Sequence, residues 1–288
     1  RQGDGLPPDA GEAASVLQAD PDAPGGGITI VRGRKIRGGQ AFGKAVVCSC
    51  PISFLGGVDT GSGKVLDGDC RSNGLSVSGS VFCFPYGKGS TVGSYAMYQL
   101  RLNGVAPCAL VNSSAEPIVA TGAIIAGIPM IDGIDVSLLR TGDDARVDAD
   151  GGLLELTGVT ERHVVTSIVR HRGRILLLRR SNSVGSYRGQ WAGVSGFIEA
   201  HESAEAAARR EMDEEVGLGR ARLRKHIPSQ MFRDMDTVWC VHPFLFEVKD
   251  SKVRIDWEHE SYEWVLPSDL GKYPTVPGLG QVIEKLLR

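Results

Sequence analysis

The sequence predicts an α/β protein organised as two domains. Three observations lead there. At 288 residues the chain can support two hydrophobic cores. From Ile28 to Ile131, short apolar runs alternate with glycine-rich turns and helical stretches. From His163 onward the texture changes to a strand hairpin, followed by an Ala- and Glu-rich amphipathic segment. The domain limits read from these changes are 1–27 for a flexible leader, 28–157 for the first domain and 158–288 for the second.

Composition narrows the function. Hydrophobic residues make up 42% and charged residues 23%, as expected of a soluble globular protein. A net charge of −2 gives no global pull toward nucleic acid or an anionic membrane. No apolar run reaches the ~18 residues of a spanning helix. Cys48, Cys50, Cys70, Cys83, Cys108 and Cys240 form no CxxC pair. Reduced thiols and a cytoplasmic location are therefore expected.

Arg1 to Gly27 is rich in Pro, Gly and Asp and poor in large apolar residues, hence the leader. Ile28–Val31 and Ala45–Cys48 read as strands. Val77–Phe84 is strand-like and runs into the glycine-rich loop Pro85–Ser94; Tyr95–Leu102 then reads as a helix stopped by Asn103-Gly104. Ala109–Val111 is a strand, Val119–Ile125 a helix and Ile128–Ile131 a closing strand. A strand, a glycine-rich loop and a helix in succession can cradle an anion, because free N–H groups and the macrodipole converge at the helix start. Leu153–Leu156 is a last strand before a boundary near Gly158. His163–Arg170 and Arg174–Arg179 form a hairpin around Arg172-Gly173, and Asn182–Gln190 is a polar loop. Thr237–Val248 is a long strand and Gly280–Leu287 a terminal helix.

The chemistry concentrates in Gly196–Leu218, GFIEAHESAEAAARREMDEEVGL. Ala204, Ala208, Met212 and Val216 make an apolar stripe, and Gly217 is a natural stop. Glu211, Glu214 and Glu215, at i, i+3 and i+4, gather toward one face. Like charges so spaced cost about 0.2–0.5 kcal/mol per pair. A divalent cation would reverse that sign, and hard cations such as Mg²⁺ take carboxylate oxygens beside substrate phosphates. Arg210 stands four before Glu214 and can pair with it.

Gly196, five residues, Glu202, seven residues and then Arg210-Glu211-Met212-Asp213-Glu214-Glu215-Val216-Gly217-Leu218 resembles the complete Nudix box. The approach Arg188-Gly189-Gln190-Trp191 is similar to that of the same family. The resemblance implies an α/β/α sandwich that hydrolyses a small-molecule diphosphate. It implies Glu211, Glu214 and Glu215 as ligands of Mg²⁺ or Mn²⁺, Gly196 as a substrate-binding position, and Glu202 and Arg210 as the pair holding loop and helix. The later stretch Trp257–Val265 resembles the segment that supplies another acidic residue. Glu260, and after it Glu258, is the expected base or additional ligand, beside Glu211 and Glu214 as catalytic groups. His259 is expected in a structural hydrogen bond.

The first domain carries a second resemblance. PISFLGGVDTGSGKVLD, GKGSTVGS, LNGVAPCALV and AGIPMID, in that order, resemble the small swivel domain of the aconitase X family, whose relatives include phosphomevalonate dehydratase. This implies a swivelling β/β/α domain that completes a dehydratase with a large subunit, which alone carries the iron–sulfur cluster. It implies Ser90 as the base, with Gly87, Lys88 and Gly89 shaping the substrate loop. Cys70-Arg71 departs from the His-Pro pair expected there. Diphosphate hydrolase is the leading expectation. A lyase component, with isoprenoid metabolism as the link the fusion suggests, and a swivel domain acting as ligand sensor are the other two.

Overall fold

The computed structural model describes residues 27–68 and 72–288. The leader, apart from Gly27, and the Cys70-Arg71 departure lie outside them. Eight strands form the first sheet: β1 (Ile28–Arg32), β2 (Arg34–Arg37), β3 (Gln40–Val47), β4 (Val81–Phe84), β5 (Ala109–Asn112), β6 (Met130–Asp132), β7 (Asp144–Asp148) and β8 (Leu153–Thr157). Their order is β1-β8-β7-β3-β4-β5-β6-β2. β3 to β6 pair in parallel, and every other pairing is antiparallel.

Alternation along β4 explains the layering. All four of its residues are buried, so the strand is covered on both faces. Phe82 and Phe84 pack with Met97, Leu100, Val119 and Ala123 of the helices α2 (Gly93–Leu102) and α3 (Pro117–Ala126). A one-turn, kinked α1 (Phe54–Gly57) adds Phe54 to that cluster. Val81 and Cys83 face the other way, toward Val147, Leu154 and Leu156 of the antiparallel half. The result is a β/β/α stack, as the sequence led us to expect. Helix α2 begins at Gly93, two residues before the expected Tyr95. Glu116 caps α3 by accepting from Ile118 N and Val119 N at 2.8 Å each.

The second sheet contains β9 (Thr160–His171), β10 (Arg174–Arg180), β11 (Trp191–Ala192), β12 (Val194–Phe197), β13 (Arg222–His226), β14 (Gln230–Asp234), β15 (Thr237–Glu247) and β16 (His259–Val265). At its centre β9 and β15 run parallel, in register from Thr160 opposite Thr237 to Arg170 opposite Glu247. One face packs Val165, Val169, Phe244 and Phe246 against α4 (Ala204–Val216). The other packs Ile168, Ile175, Leu177 and Leu245 against α5 (Leu279–Leu287). Burying each such aliphatic or aromatic side chain contributes about 1.5–3 kcal/mol, so the α/β/α sandwich is set by these two apolar faces.

The two sheets meet directly. β8 ends at Thr157 and β9 begins at Thr160. Met231 and Val238 of the second domain pack into the first domain's core cluster. The Arg233 side chain, 2% exposed, spans the seam: Nη2 donates to Asp143 Oδ1 at 3.2 Å, and Nη1 donates to Leu138 O at 3.5 Å. Arg233→Ala leaves the Asp143 carboxylate sheltered without its cation. The expected loss is about 3 kcal/mol of unfolding free energy, read by urea denaturation of the full chain. A loss under about 0.5 kcal/mol, ordinary for a surface change, would show that the pair does not hold the seam.

Candidate active site

Helix α4 is bounded by its own chemistry. Ser203 Oγ accepts from Ala206 N at 3.2 Å, and Gly217 ends the helix at φ 72°, its N–H donating to Asp213 O. Ala207, Ala208, Met212 and Val216 are buried against the sheet, which fixes the helix's rotation. That rotation separates the three glutamates. The Glu214 side chain is 60% exposed, that of Glu211 13% and that of Glu215 4%.

Arg210 lies between the helix and the loop before it. Its Nε donates to Glu202 Oε1 at 3.1 Å and its Nη2 to Glu202 Oε2 at 3.0 Å. Its Nη1 donates to Glu211 Oε1 at 2.6 Å and to Glu214 Oε2 at 3.3 Å. Its Nη2 also donates to Phe197 O at 3.0 Å, tying the end of β12 to the helix. The hydrogen bonds with Glu202 raise the guanidinium's pKa and lower that of Glu202. Gly196 allows the close approach of Glu211: a Cβ on it would lie 1.9 Å from Glu211 Cδ. The far end of the glutamate therefore occupies the space that any larger residue would take.

Glu215 is the costly member. Its Oε1 accepts from Ser195 N at 3.3 Å. Its Oε2 is buried and has no hydrogen-bond partner among the described residues. Burial, then the charges of Glu211, Glu258 and Asp256, push its pKa well above the ordinary 4.5. Burial also raises Glu211, against the pull of Arg210. His259 Nε2 stands 3.6 Å from Glu215 Oε2, and its Nδ1 lies 3.0 Å from Asp256 Oδ1. Burial lowers the pKa of His259, so the ring is held neutral beside the glutamate. An orphaned carboxylate oxygen, neighbouring carboxylates and hard oxygen donors fit a divalent cation. Glu258 contributes its charge to Glu211, Glu215 and His259. Glu260 is engaged elsewhere, accepting from Asn182 Nδ2 at 3.1 Å and pairing with Arg179 at 3.8 Å.

A second group gathers on the first sheet. Gly87 is buried, and a Cβ there would lie 2.3 Å from Glu116 Oε1. Lys88 N donates to Ile52 O at 2.8 Å, and Lys88 Nζ pairs with Asp67 at 3.2 Å. Gly89 adopts φ 109°, a left-handed geometry suited to glycine. The exposed Ser90 follows, its Oγ accepting from Val92 N at 3.3 Å and its carbonyl from Gly93 N at the start of α2. No hydrogen bond or ion pair among the described residues joins this loop to the glutamate cluster.

Comparison with known proteins agrees with both halves. The family model described as the aconitase X swivel domain matches residues 30–156, and the NUDIX domain model matches residues 160–286. The chain is an aconitase X swivel domain followed by a NUDIX domain. The swivel half is 57% identical over 126 residues to the phosphomevalonate dehydratase small subunit of Thermococcus onnurineus, covering 44% of this chain and 97% of that one. It is 52% identical over 130 residues to the Methanocella arvoryzae small subunit, covering 44% and 98%. Among solved structures, Thermococcus kodakaraensis aconitase X matches at 53% identity and TM-score 0.44, covering 44% and 98%. A MutT protein from Methanosarcina mazei matches at 24% identity and TM-score 0.41, covering 44% and 93%.

The NUDIX domain thus brings Glu202, Arg210, Glu211, Glu214 and Gly196 into direct contact or near contact, with Glu215 sheltered beneath them. Sequence reasoning did not find Asp256, the residue that orients His259. The D-x-x-H spacing at the end of a loop was its only local sign. Gly196→Ala should leave the fold standing, because a flexible side-chain end can swing away. It should displace the Glu211 carboxylate and lower hydrolytic turnover at least about tenfold, the scale of a lost supporting contact; steady-state rates would read it. Unchanged rates would mean that the close approach is incidental.

The raised pKa of Glu215 sets a pH dependence for the metal-free NUDIX domain. The folded state holds a proton that the unfolded state has released, so this contribution is full below about pH 4.5 and is lost as pH rises through the folded pKa. With chelator present, the melting temperature should fall on going from about pH 5 to pH 8, and Glu215→Gln should flatten that fall. Identical slopes for both proteins would remove Glu215 as the source.

Proposed function

We propose that this Nudix hydrolase uses Mg²⁺ or Mn²⁺ to cleave the diphosphate linkage of a nucleoside diphosphate or a related small molecule. The observation that carries the reading is the unpartnered, buried Glu215 Oε2 set among Glu211, Glu258 and Asp256. Glu211, Glu214 and Glu215 would hold the cation. Bound there, it supplies charge neutralisation at the phosphoryl oxygens and activation of water.

The chain's own residues have separable tasks. Arg210 and Glu202 fix the loop against α4, and Gly196 gives Glu211 its place. Ser195 N holds one oxygen of Glu215, and His259, oriented by Asp256, stands beside the other. Proton acceptance is assigned to Glu258, whose charge bears on Glu211 and Glu215, ahead of Glu260, which Asn182 and Arg179 engage. A Mg²⁺-dependent screen over nucleotide, sugar and prenyl diphosphates would identify the substrate. Against that substrate, Glu215→Gln should abolish turnover with the fold intact, and Glu258→Gln should lower kcat by about 10²–10⁴-fold. Undiminished phosphate release by Glu215→Gln would refute the site.

A second activity is supported by the swivel half. We propose that it completes a hydro-lyase with an aconitase X large subunit, which would hold the iron–sulfur cluster, and that Ser90 removes a proton from a hydroxy acid such as 5-phosphomevalonate. The N-terminus of α2 beside Ser90 favours a developing oxyanion. Leu55, Tyr86, Val92 and Tyr95 are exposed on and beside the same loop, an apolar rim suited to a protein partner. Mixed with a cluster-loaded large subunit, the chain should dehydrate its substrate, and Ser90→Ala should bind that subunit yet fail to turn over. Dehydration at the parent rate by Ser90→Ala would end the assignment.

A further inference from the structure

On the central strand pair of the NUDIX domain, three soft or borderline donors meet away from the glutamates. The parallel register sets Cys240 opposite His163, and His242 opposite Val165. Residues two apart on a strand share a face. His163, Cys240 and His242 therefore share one face of the sheet, the one that carries Val165, Phe244 and Phe246 under α4. Val238, on the same face one step earlier, packs into the swivel domain's core. The three donors thus lie between the α4 core and the seam with the swivel domain.

Their spacing is close to that of ligands around one ion. His163 Nδ1 lies 3.1 Å from His242 Nε2, and Cys240 Sγ lies 3.7 Å from the same nitrogen. All three donor atoms fall within 4.8 Å of one another. Zinc bonds of about 2.0–2.1 Å to nitrogen and 2.3 Å to sulfur, in a tetrahedron, require ligand separations of about 3.3–3.7 Å. We propose that His163 Nδ1, Cys240 Sγ and His242 Nε2 bind a zinc ion, with a fourth position left open.

Independent features support the assignment. His163 Nε2 stands 3.2 Å from Glu161 Oε1. A carboxylate on the outer nitrogen fixes the tautomer that turns the inner nitrogen to a metal. Cys240 supplies a sulfur donor beside the two imidazoles, a ligand type that zinc takes. The donor set also separates the two sites chemically: thiolate and imidazole select zinc, whereas the carboxylates of α4 suit magnesium.

The test uses the full chain, stripped with chelator and titrated with Zn²⁺ against a chromophoric competitor in excess Mg²⁺. About one tightly bound zinc per chain is expected. Cys240→Ser and His242→Ala should each weaken binding at least about 100-fold, and Glu161→Gln about 10–100-fold. Glu215→Gln should bind zinc as the parent does. Co²⁺ loaded into the parent chain should give a sulfur-to-metal charge-transfer band. That band keeps the proposal testable even where a variant misfolds. No saturable zinc binding, no such band in the parent, or loss of zinc in Glu215→Gln alone would each overturn it.

Discussion

One guanidinium makes the hydrolase site possible. Arg210 reaches Glu202, Glu211 and Glu214 at once, and also the carbonyl of Phe197. The carboxylates repel one another by only a few tenths of a kcal/mol per helical pair. A hydrogen bond to a charged partner contributes about 1.5–3 kcal/mol when partly sheltered. The balance therefore favours assembly. Arg210 does more than neutralise charge: by joining the end of β12 to the helix it fixes the distance between Gly196 and Glu211. The missing Cβ and the guanidinium are two parts of one constraint.

Glu215 shows what that assembly leaves unresolved. Arg210 serves the outer carboxylates, while Glu215 lies beneath them with one oxygen held by Ser195 N and the other unpartnered. A buried polar atom without a partner costs about 1–3 kcal/mol. The fold tolerates that cost because Ala207, Ala208, Met212 and Val216 anchor the same helix in the core. His259 Nε2 stands 3.6 Å from Glu215 Oε2, too far for a hydrogen bond, so that oxygen stays unpartnered among the described residues.

The helix and its charges were legible in the sequence because their determinants are local: the apolar stripe, the terminal glycine and the i, i+3, i+4 carboxylates all fall within one segment. The β9–β10 hairpin and the long β15 were legible for the same reason. Strands β2, β7, β13 and β14 were not. RKIR, DARVD and RLRKH carry too many charges to read as strands, and they are strands because long-range partners supply the ladder. Glu258 and Glu260 illustrate a related limit. The two are near neighbours in sequence, yet one bears on the cluster and the other is held by Asn182 and Arg179. A shift in register on β10 at Arg179 and Arg180, opposite Ser261 and His259, separates them. The His163, Cys240 and His242 group escaped notice because its ends are 79 residues apart.

The seam between the domains bears on how the two proposed sites could communicate. Only Gly158 and Val159 separate β8 from β9, and both of their N–H groups donate to Gly27 O. Thr29 Oγ1 donates to Val159 O, so the first strand of the swivel domain grips the connector as well. Arg233 then crosses from β14 to Asp143 and Leu138. A tether of this kind has little rotational freedom. Relative motion would have to break a sheltered ion pair and expose Met231 and Val238, which costs more than thermal fluctuation supplies cheaply. Domain swing is therefore a costly way to connect Ser90 with the glutamates. The shared element is β15: it contributes Val238 to the swivel core, Cys240 and His242 to the donor cluster, and Phe244 and Phe246 to the floor beneath α4.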